Sequence, residues 1–412
     1  MAVRIQYMGA KRRIADRVAE LIGGIEAGST VLDLFCGTCS VAGALADQRR
    51  PIWVNDVQRY ATEAATCLLT SAQGPPAWAA LEHVLAGERD RNRTALVRRF
   101  ECELAREAAV LATPTVAEYQ TAYREWRHVA NDAARAREAR RLARARATRP
   151  YRLATLTFAW GYLGLAQAIE VDSLRCSIDS AEQTGELDAE AARWARLALL
   201  QAAARLATGP GHLAQYLRAT NESSLARVVA QRRRSLGAQF EIELAELEPC
   251  GDADWRVNNR VLSRDALQIW PELRELGLAG AVVYADPPYS KNQYSRFYHV
   301  LETLVRYDYP AVSGRGRYRP DRFITGFCRR REVEASFHAL CRGVASLGST
   351  LVLSYPADGL LRDVTGTGPE RILRNHFGAV ERALSIDIEH STLGAGHGQR
   401  DHATRELLLV AR

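Results

Sequence analysis

Strand-like segments occur in two groups at opposite ends of this chain, separated by about 190 residues with no strand alternation. They are STVLDLFCG (29–37), PIWVND (51–56), NRVLSRDA (259–266), GAVVYADPPY (280–289), STLVLSYP (349–356), AVERALSIDI (379–388) and RELLLVAR (405–412). The strand–helix–strand spacing of the first two predicts adjacent parallel strands joined by a right-handed crossover. The sequence therefore predicts a single sheet assembled from both ends of the chain, with a helical domain inserted after its second strand.

The predicted fold class is α/β, a Rossmann-like doubly wound sheet with a large helical insert. Residues 1–60 and 251–412 are assigned to the sheet domain, and residues 61–250 to the insert. Stretches such as RTALVRRFECELAREAAVLA within the insert show helical periodicity and many arginines.

The charge balance of the 412-residue chain favours a polyanionic partner without proving one, since the net charge is +7 and the pI is about 9.1. Of the 55 basic residues, only Lys11 and Lys291 are lysines. The arginine run 133–149 has two open interpretations, a solvated helix face or a surface that contacts phosphates.

The cysteines and the apolar segments predict an intracellular, cytoplasmic protein. The eight cysteines are scattered through a chain that does not need disulfide bonds to fold. The first residues, MAVRIQYMGAKRR, lack the apolar run of a signal peptide. The longest apolar stretch, LATLTFAWGYLGLAQAI, contains Gln167 and two glycines, which favours a buried helix over a membrane span.

The segment DLFCGTCS ends the first predicted strand, where ligands of open α/β sheets bind. Its only glycine is Gly37, so the dinucleotide fingerprint is absent. Asp56 follows Gly37 by 19 residues, near the spacing at which a strand-end acid binds ribose hydroxyls. A nucleoside without phosphates fits both observations, and S-adenosylmethionine is one; a plain turn with an exposed Asp56 is the alternative. Cys36 and Cys39 are interpreted as small residues of a tight turn rather than as a redox pair or a metal site.

Five motifs in order resemble the D12-class, Dam-like adenine-N6 DNA methyltransferases. They are QYMGAKRRIADRV, DLFCGTCS, WVND, LSRDA and ADPPY. In the second motif Cys39 stands where the family more often has glycine, which leaves the cofactor assignment intact but affects the loop geometry. The resemblance covers both ends of the chain, about half of its length, and it implies S-adenosylmethionine as the cofactor.

The resemblance also assigns site residues. The cofactor-binding residues it implies are Tyr7, Met8, Gly9, Lys11, Asp33, Phe35, Cys36, Gly37, Asp56, Asp265 and Ala266. The catalytic residues are Asp286, Pro287, Pro288 and Tyr289. Lys291, Arg296, Arg315 and Arg317 are candidates for DNA phosphate contacts, and a solvated role remains open for Lys291 and Arg296.

The chemistry of N6 methylation accounts for the residue types of the D-P-P-Y corner. The exocyclic nitrogen of adenine is a poor nucleophile, because its lone pair is delocalised into the ring. The Asp286 carboxylate and the Pro287 carbonyl can accept its N–H bonds and favour a tetrahedral nitrogen. The prolines fix the backbone, and Tyr289 offers a ring on which an extruded base can stack.

Residues after the tetrad, SKNQYSRFYHVLETLVRYDYP, extend the resemblance to methylases of restriction-modification and phage-defence systems. The expected partner is double-stranded DNA, read by the 61–250 insert as target-recognition domain. A restriction or defence protein is a further candidate partner. Three rivals remain: an RNA nucleobase methyltransferase, a catalytically silent DNA-binding module, and a protein methylase, which would favour asparagine in place of Asp286. No role is derived for His390, Ser391 or His397.

Overall fold

The computed structural model describes residues 13–25, 29–130, 133–209, 212–390 and 402–412. The chain divides into two compact units. The first, called the sheet unit below, comprises Met1–Gln73, Pro249–Ser295 and Phe323–Arg412. The second, the helical unit, comprises Gly74–Glu248 and Arg296–Arg322.

The sheet unit contains a seven-stranded sheet in the order β3-β2-β1-β4-β5-β7-β6. Its strands are β1 (Val31–Asp33), β2 (Ile52–Asn55), β3 (Arg260–Leu262), β4 (Val282–Ala285), β5 (Thr350–Pro356), β6 (Val380–His390) and β7 (His402–Ala411). All neighbours pair in parallel except β7, which runs antiparallel to both β5 and β6. Every predicted segment therefore contains a strand, and the predicted parallel pairing of β1 with β2 is confirmed.

Both faces of the central strands are covered, since every residue of β1, β2, β4 and β5 is buried. Strands buried on both sides read as continuous apolar runs, which explains why these four stood out in the sequence. The helices of the sheet unit are Ala15–Gly23, Ser40–Ala44, Arg59–Thr70, Ala253–Arg256, Trp270–Glu275, Val333–Ser346, Leu360–Thr365 and Pro369–Arg374, with short 3₁₀ helices at Ala46–Gln48 and Gly326–Cys328. The mixed α/β fold class is confirmed.

The helical unit contains no strand among its described residues. Its helices are Trp78–Arg99, Glu101–Ala112, Val116–Ala130, Ala133–Arg144, Leu153–Phe158, Leu165–Thr184, Ala189–Leu206, Glu222–Arg232, Leu236–Glu246 and His299–Arg306. The short helix Tyr294–Phe297 begins in the sheet unit and ends in the helical unit.

The unit boundaries differ from the insert range of 61–250 expected from the sequence. Residues 61–73 stay with the sheet, because the helix Arg59–Thr70 packs beside β3. The larger difference is the segment 296–322, which follows the D-P-P-Y motif and belongs to the helical unit.

Buried tyrosine hydroxyls hold the segment 296–322 in the helical unit. The hydroxyl of Tyr307 donates to the carboxylate of Asp172 at 2.5 Å and accepts from the backbone N–H of Leu153 at 3.3 Å. Tyr162 and His299 form a further buried side-chain hydrogen bond of 3.2 Å. These partners are more than 130 residues apart in sequence, so no local pattern could have indicated them.

The apolar stretch 153–169, expected as one buried helix, forms two helices separated by an irregular turn. Each helix begins at a buried carboxylate: Asp172 accepts from the N–H groups of Ala154 and Thr155, and Glu107 from those of Leu165 and Ala166. No helix among the described residues has both the length and the apolar content that a membrane crossing requires.

Candidate active site

The candidate site is a cleft at the carboxyl ends of the first four strands. The chain continues from β1 to β2 on one side, whereas β4 lies on the other, so the strand order reverses between β1 and β4. Such a reversal opens a crevice in which ligands of open α/β sheets bind. The cleft and its mouth together contain about 770 Å³ of space between protein atoms, a volume that includes open solvent.

Residues from both ends of the chain line this cleft. They are Leu34, Phe35, Asn55, Asp56, Val57, Gln58, Arg264, Asp265, Ala266, Asp286, Pro288, Gln293, Tyr294, Ser295, Phe323, Thr325 and Phe327. Six of the predicted cofactor and catalytic residues therefore meet in one cleft: Phe35, Asp56, Asp265, Ala266, Asp286 and Pro288. Pro287 and Tyr289 are not among its lining residues. Asp33, the last residue of β1, directly precedes the lining residue Leu34, and Cys36 and Gly37 follow Phe35 in the loop after that strand.

The loop after β1 is held in a tight turn. The Cys36 N–H donates to the Asn55 carbonyl at 3.0 Å, and the Cys39 N–H donates to the Cys36 carbonyl at 2.7 Å. Gly37 has φ 49° and Cys39 has φ 58°, both in the left-handed region. Cys39 thus adopts the conformation that a glycine takes more readily, so the departure from the family pattern keeps the turn at some conformational cost.

Asp56 anchors this loop to the end of β2. Its Oδ2 accepts from the Gly37 N–H at 3.1 Å, and its Oδ1 accepts from the Gln58 N–H at 2.9 Å. Burial raises the pKa of Asp56 to about 6, although these N–H groups act in the opposite direction. Each carboxylate oxygen can accept more than one hydrogen bond, so acceptor capacity remains for ligand hydroxyls.

Asp33, the last residue of β1, lies beneath the cleft and is 2% exposed. Burial, followed by the negative charge of Asp286, raises the pKa of Asp33 to about 8. Asp56 raises the pKa of Asp33 further, so the three carboxyl groups interact electrostatically. The cationic side chain of Arg264, at the cleft wall, is paired with Glu272 at 2.7 Å. The cleft is therefore suited to a ligand that carries positive charge.

Three further predicted cofactor residues, Phe35, Asp265 and Ala266, lie in the cleft wall. Asp265 lies after β3, where its Oδ1 accepts from the Leu267 N–H at 3.0 Å. The Phe35 ring packs edge-on against Phe327, with a centroid distance of 5.8 Å. Both side chains line the cleft, as does Ala266.

The D-P-P-Y corner follows β4 directly. Asp286 and Pro288 face the cleft, and Pro287 is buried between them. The Tyr289 carbonyl accepts from the Leu360 N–H at 2.7 Å, which fixes the end of the corner to the start of the helix Leu360–Thr365. The Tyr289 ring lies 6.4 Å from the ring of Tyr294 in an edge-to-face arrangement. Two aromatic faces thus flank the corner.

The structure adds residues that sequence reasoning did not select. Asn55 donates from Nδ2 to the carbonyls of Leu34 and Arg264, at 3.2 and 3.1 Å, and its Oδ1 accepts from the Arg264 N–H at 3.0 Å. It therefore joins the ends of β1, β2 and β3. A sequence signal existed, since an asparagine immediately before a strand-end acid is well placed for such bonds. Gln293 and Thr325 form another such link in the cleft wall.

The four candidate DNA contacts do not all belong to the same unit. Lys291 is exposed in the sheet unit, whereas Arg296, Arg315 and Arg317 belong to the helical unit. There, Arg296 donates to the Tyr318 hydroxyl at 3.0 Å. Arg315 is exposed in the tight hairpin 313–318, which is closed by two backbone hydrogen bonds of 2.8 Å between its end residues.

A fourth arginine of the helical unit joins this group. Arg322 stacks over the Tyr318 ring at 4.4 Å, and Arg315 lies 5.8 Å from the centroid of Tyr216. Within the described residues, no carboxylate pairs with Arg296, Arg315 or Arg322. We call these three residues and Arg317 the arginine cluster; its charge is suited to phosphates.

Other predicted residues lie outside the described part of the chain. These are Tyr7, Met8, Gly9 and Lys11, together with Ser391 and His397. His390 is the last residue of β6.

The raised pKa of Asp33 predicts how stability depends on pH. Between the ordinary value of 3.8 and about 8, the folded protein holds this proton and the unfolded chain does not. The contribution of Asp33 to stability therefore declines as pH rises through this range and is constant above it. In urea unfolding of the cofactor-free protein, the free energy of unfolding should fall by on the order of 2 kcal/mol between pH 6 and 8. The Asp33→Asn variant should lack this decrease. Equal pH slopes for the two proteins would contradict the prediction.

Comparison with known proteins finds a family that this chain resembles. The family model described as "D12 class N6 adenine-specific DNA methyltransferase" matches residues 7–90 and 272–337. Over these segments the chain is similar to this class. The matched segments include β1, β2 and Asp56 on one side, and β4 with the D-P-P-Y corner on the other.

Curated relatives agree with the family model. Type II methyltransferase M.FokI of Planomicrobium okeanokoites is 37% identical over 100 residues, 24% of this chain and 14% of the relative. Modification methylase LlaI of Lactococcus lactis subsp. lactis is 24% identical over 183 residues, 44% of this chain and 26% of the relative. Type II methyltransferase M.CviAII of Paramecium bursaria Chlorella virus 1 is 33% identical over 125 residues, which cover 28% of this chain and 37% of the relative. The chain thus spans well under half the length of these three relatives.

Proposed function

We propose that this protein is a site-specific DNA adenine-N6 methyltransferase that uses S-adenosylmethionine. The observation that supports this proposal is that Asp286 and Pro288 of the D-P-P-Y corner line one cleft with the acids Asp56 and Asp265, at the switch point of the sheet. The family is named for N6 adenine-specific DNA methylation and implies a methyl donor. The relatives, named as type II methyltransferases and a modification methylase, support a role in restriction-modification. A role in phage defence and a cytoplasmic location are part of the proposal and rest on the sequence alone.

The residues of the cleft fit S-adenosylmethionine. The buried acids Asp33 and Asp56 favour a ligand with positive charge, and the cofactor is cationic at its sulfonium and amino groups. Asp56 would accept from the ribose hydroxyls and Asp265 from the adenine amino group, while Phe35 would pack on the adenine ring. When bound, the cofactor supplies an electrophilic methyl group next to the corner.

The corner would activate the acceptor. The Asp286 carboxylate and the Pro287 carbonyl would each accept an N–H of the adenine amino group, which draws the nitrogen lone pair out of the ring. Positive charge develops on that nitrogen as the N–C bond forms, and a carboxylate already in place stabilises this charge. Tyr289 would stack on the extruded base, since an amino group inside a duplex is out of reach.

DNA binding is assigned to the helical unit, including residues 296–322, and to Lys291. Within the arginine cluster, Arg296, Arg315 and Arg322 contact tyrosine side chains, and the charges of these three residues are suited to phosphates. The exposed arginines of the run 133–149 are a second surface with this capacity. A restriction or defence protein is a further candidate partner in such a system.

The arginine cluster predicts salt-dependent DNA binding. Arg315→Gln should weaken duplex binding by a similar factor for all sequences and should reduce the slope of log K against log salt by about 1, because one phosphate contact is lost. Fluorescence anisotropy across a salt series measures both effects. Arg106→Gln is the matched control, since Arg106 of the same unit already pairs with Glu118 and Glu125. Identical slopes for Arg315→Gln and the wild type would contradict the assignment.

The experiment that tests the function is a methyl-transfer assay with labelled S-adenosylmethionine. Duplex DNA, ribosomal RNA and protein are offered in parallel, and the modified nucleoside is identified by mass spectrometry. We expect N6-methyladenine in DNA only. Methylated RNA would favour an RNA nucleobase methyltransferase, and methylated protein would favour a protein methylase. Cofactor binding without transfer to any substrate would favour a catalytically silent DNA-binding module.

A further inference from the structure

Gln293 makes two hydrogen bonds to the backbone of one residue far along the chain. Its Nε2 donates to the Thr325 carbonyl at 3.0 Å, and its Oε1 accepts from the Thr325 N–H at 3.0 Å. The two residues are 32 positions apart, and both line the cofactor cleft. A single side chain thus takes the place of a strand partner for this backbone segment.

Two further bonds join the same pair of segments. The Ser295 hydroxyl donates to the Phe323 carbonyl at 2.6 Å, and the Cys328 thiol donates to the Asn292 carbonyl at 3.2 Å. The chain leaves the sheet unit after Ser295 and returns at Phe323. These bonds therefore join the segment at which the chain leaves the sheet unit to the segment at which it returns.

The Gln293 bonds connect the side of the cleft that contains the D-P-P-Y corner with the side that contains Phe327 and Phe35. On one side, Gln293 follows Tyr289 of the D-P-P-Y corner by four residues. On the other side, Thr325 is two residues before Phe327, whose ring packs against Phe35. The Thr325 hydroxyl also accepts from the Phe327 N–H at 3.3 Å, so fixing Thr325 fixes the ring that supports Phe35.

A purely structural role would not need these bonds to line the cleft. Asn259 provides the comparison, because it makes the same kind of double bond, to the Ile52 N–H at 2.8 Å and the Leu69 carbonyl at 3.0 Å, at the opposite end of β2. Bonds in a cleft wall are exposed to water when the cleft is open and become shielded when a ligand fills it. Because shielding strengthens a hydrogen bond, the Gln293 bonds should be stronger in the liganded protein.

We propose that Gln293 is a positioning residue for methyl transfer, which holds the Phe327–Phe35 wall of the cofactor pocket in register with the D-P-P-Y corner. The inference rests on the proposed function, because it takes the cleft to be the S-adenosylmethionine site. Gln293 touches neither reacting group in this account; it acts through Thr325 and Phe327.

The test compares Gln293→Met with the matched control Asn259→Leu. Both substitutions preserve approximate shape and remove a double hydrogen bond to backbone. Calorimetry with S-adenosylmethionine should show about tenfold weaker binding for Gln293→Met, the scale of one to two lost bonds. Asn259→Leu should lower the melting temperature but leave this affinity unchanged. Equal cofactor affinity for Gln293→Met and the wild type would overturn the inference.

Gln293→Glu supplies a readout that a general loss of stability would not give. A neutral carboxyl group can donate to the Thr325 carbonyl and accept from its N–H, whereas a carboxylate can only accept. The cofactor affinity of Gln293→Glu, relative to the wild type at each pH, should therefore recover as pH falls from 8 to about 5.5, and that of Gln293→Met should not. A pH-independent ratio for Gln293→Glu would overturn the inference. A wild-type protein that binds no S-adenosylmethionine would instead refute the proposed function, and the inference with it.

Discussion

Asp286→Ala should lower the single-turnover rate of methyl transfer by about 10²–10³ or more while leaving S-adenosylmethionine affinity nearly unchanged. The carboxylate is needed mainly when the amino nitrogen of the target base becomes tetrahedral and positively charged. Its removal therefore costs more in the transition state than in the cofactor complex. Single-turnover kinetics on a defined duplex and calorimetry with the cofactor measure the two quantities separately.

Asp286→Asn is the matched control for that result. Asparagine keeps the shape and one acceptor oxygen but removes the charge, so this variant should retain more activity than Asp286→Ala. Tyr289→Phe should likewise be milder than Tyr289→Ala, because stacking of a flipped base requires the ring and not the hydroxyl. A wild-type transfer rate in Asp286→Ala would mean that the corner is not the active site.

Asp56→Ala should weaken S-adenosylmethionine binding by about 1–3 kcal/mol, which corresponds to about 5- to 150-fold. The substitution removes the acceptor for the ribose hydroxyls and also the anchor for the N–H groups of Gly37 and Gln58. Both losses act on the cofactor pocket, so calorimetry should show the effect directly. Asp47→Ala is the control, because Asp47 is an exposed acid of the same unit that does not line the cleft.

The pH dependence of binding sharpens this second prediction. The pKa of Asp56 is raised to about 6 by burial, so its carboxyl group gains a proton and loses acceptor capacity as pH falls below that value. Wild-type affinity should weaken through this range, whereas Asp56→Asn, which cannot ionise, should lack this component. Unchanged affinity in Asp56→Ala would contradict the ribose assignment.

The sheet and its acids were predictable because local sequence determines them. Buried parallel strands read as short apolar runs, and a parallel strand that ends at a ligand cleft is followed by polar residues such as Asp56 and Asp286. The gathering of Phe35, Asp265 and Ala266 in the same cleft then follows from the strand order. The conformation of Cys39 was not predictable in this way. Cysteine does not favour the left-handed region, yet Cys39 adopts it and the turn is kept.

The contacts that the sequence did not indicate join residues far apart in the chain. The segment 296–322 follows the D-P-P-Y motif, yet Tyr307 bonds to Asp172 and draws this segment into the helical unit. Gln293 and Thr325 are partners across 32 residues, through an amide and a backbone that carry no apolar pattern. Hydrogen bonds between side chains and distant backbone leave no periodicity, so composition and spacing cannot reveal them.

The most direct test of the central claim is single-molecule sequencing of genomic DNA from cells that express this protein, with cells expressing Asp286→Ala as the control. The account predicts modified adenines at one recurring sequence motif with the wild type, and their loss or near-loss with Asp286→Ala at equal expression. Such sequencing reports the base, the strand and the motif together. An unmodified genome in the presence of folded wild-type protein, or the same modification pattern with Asp286→Ala, would contradict it.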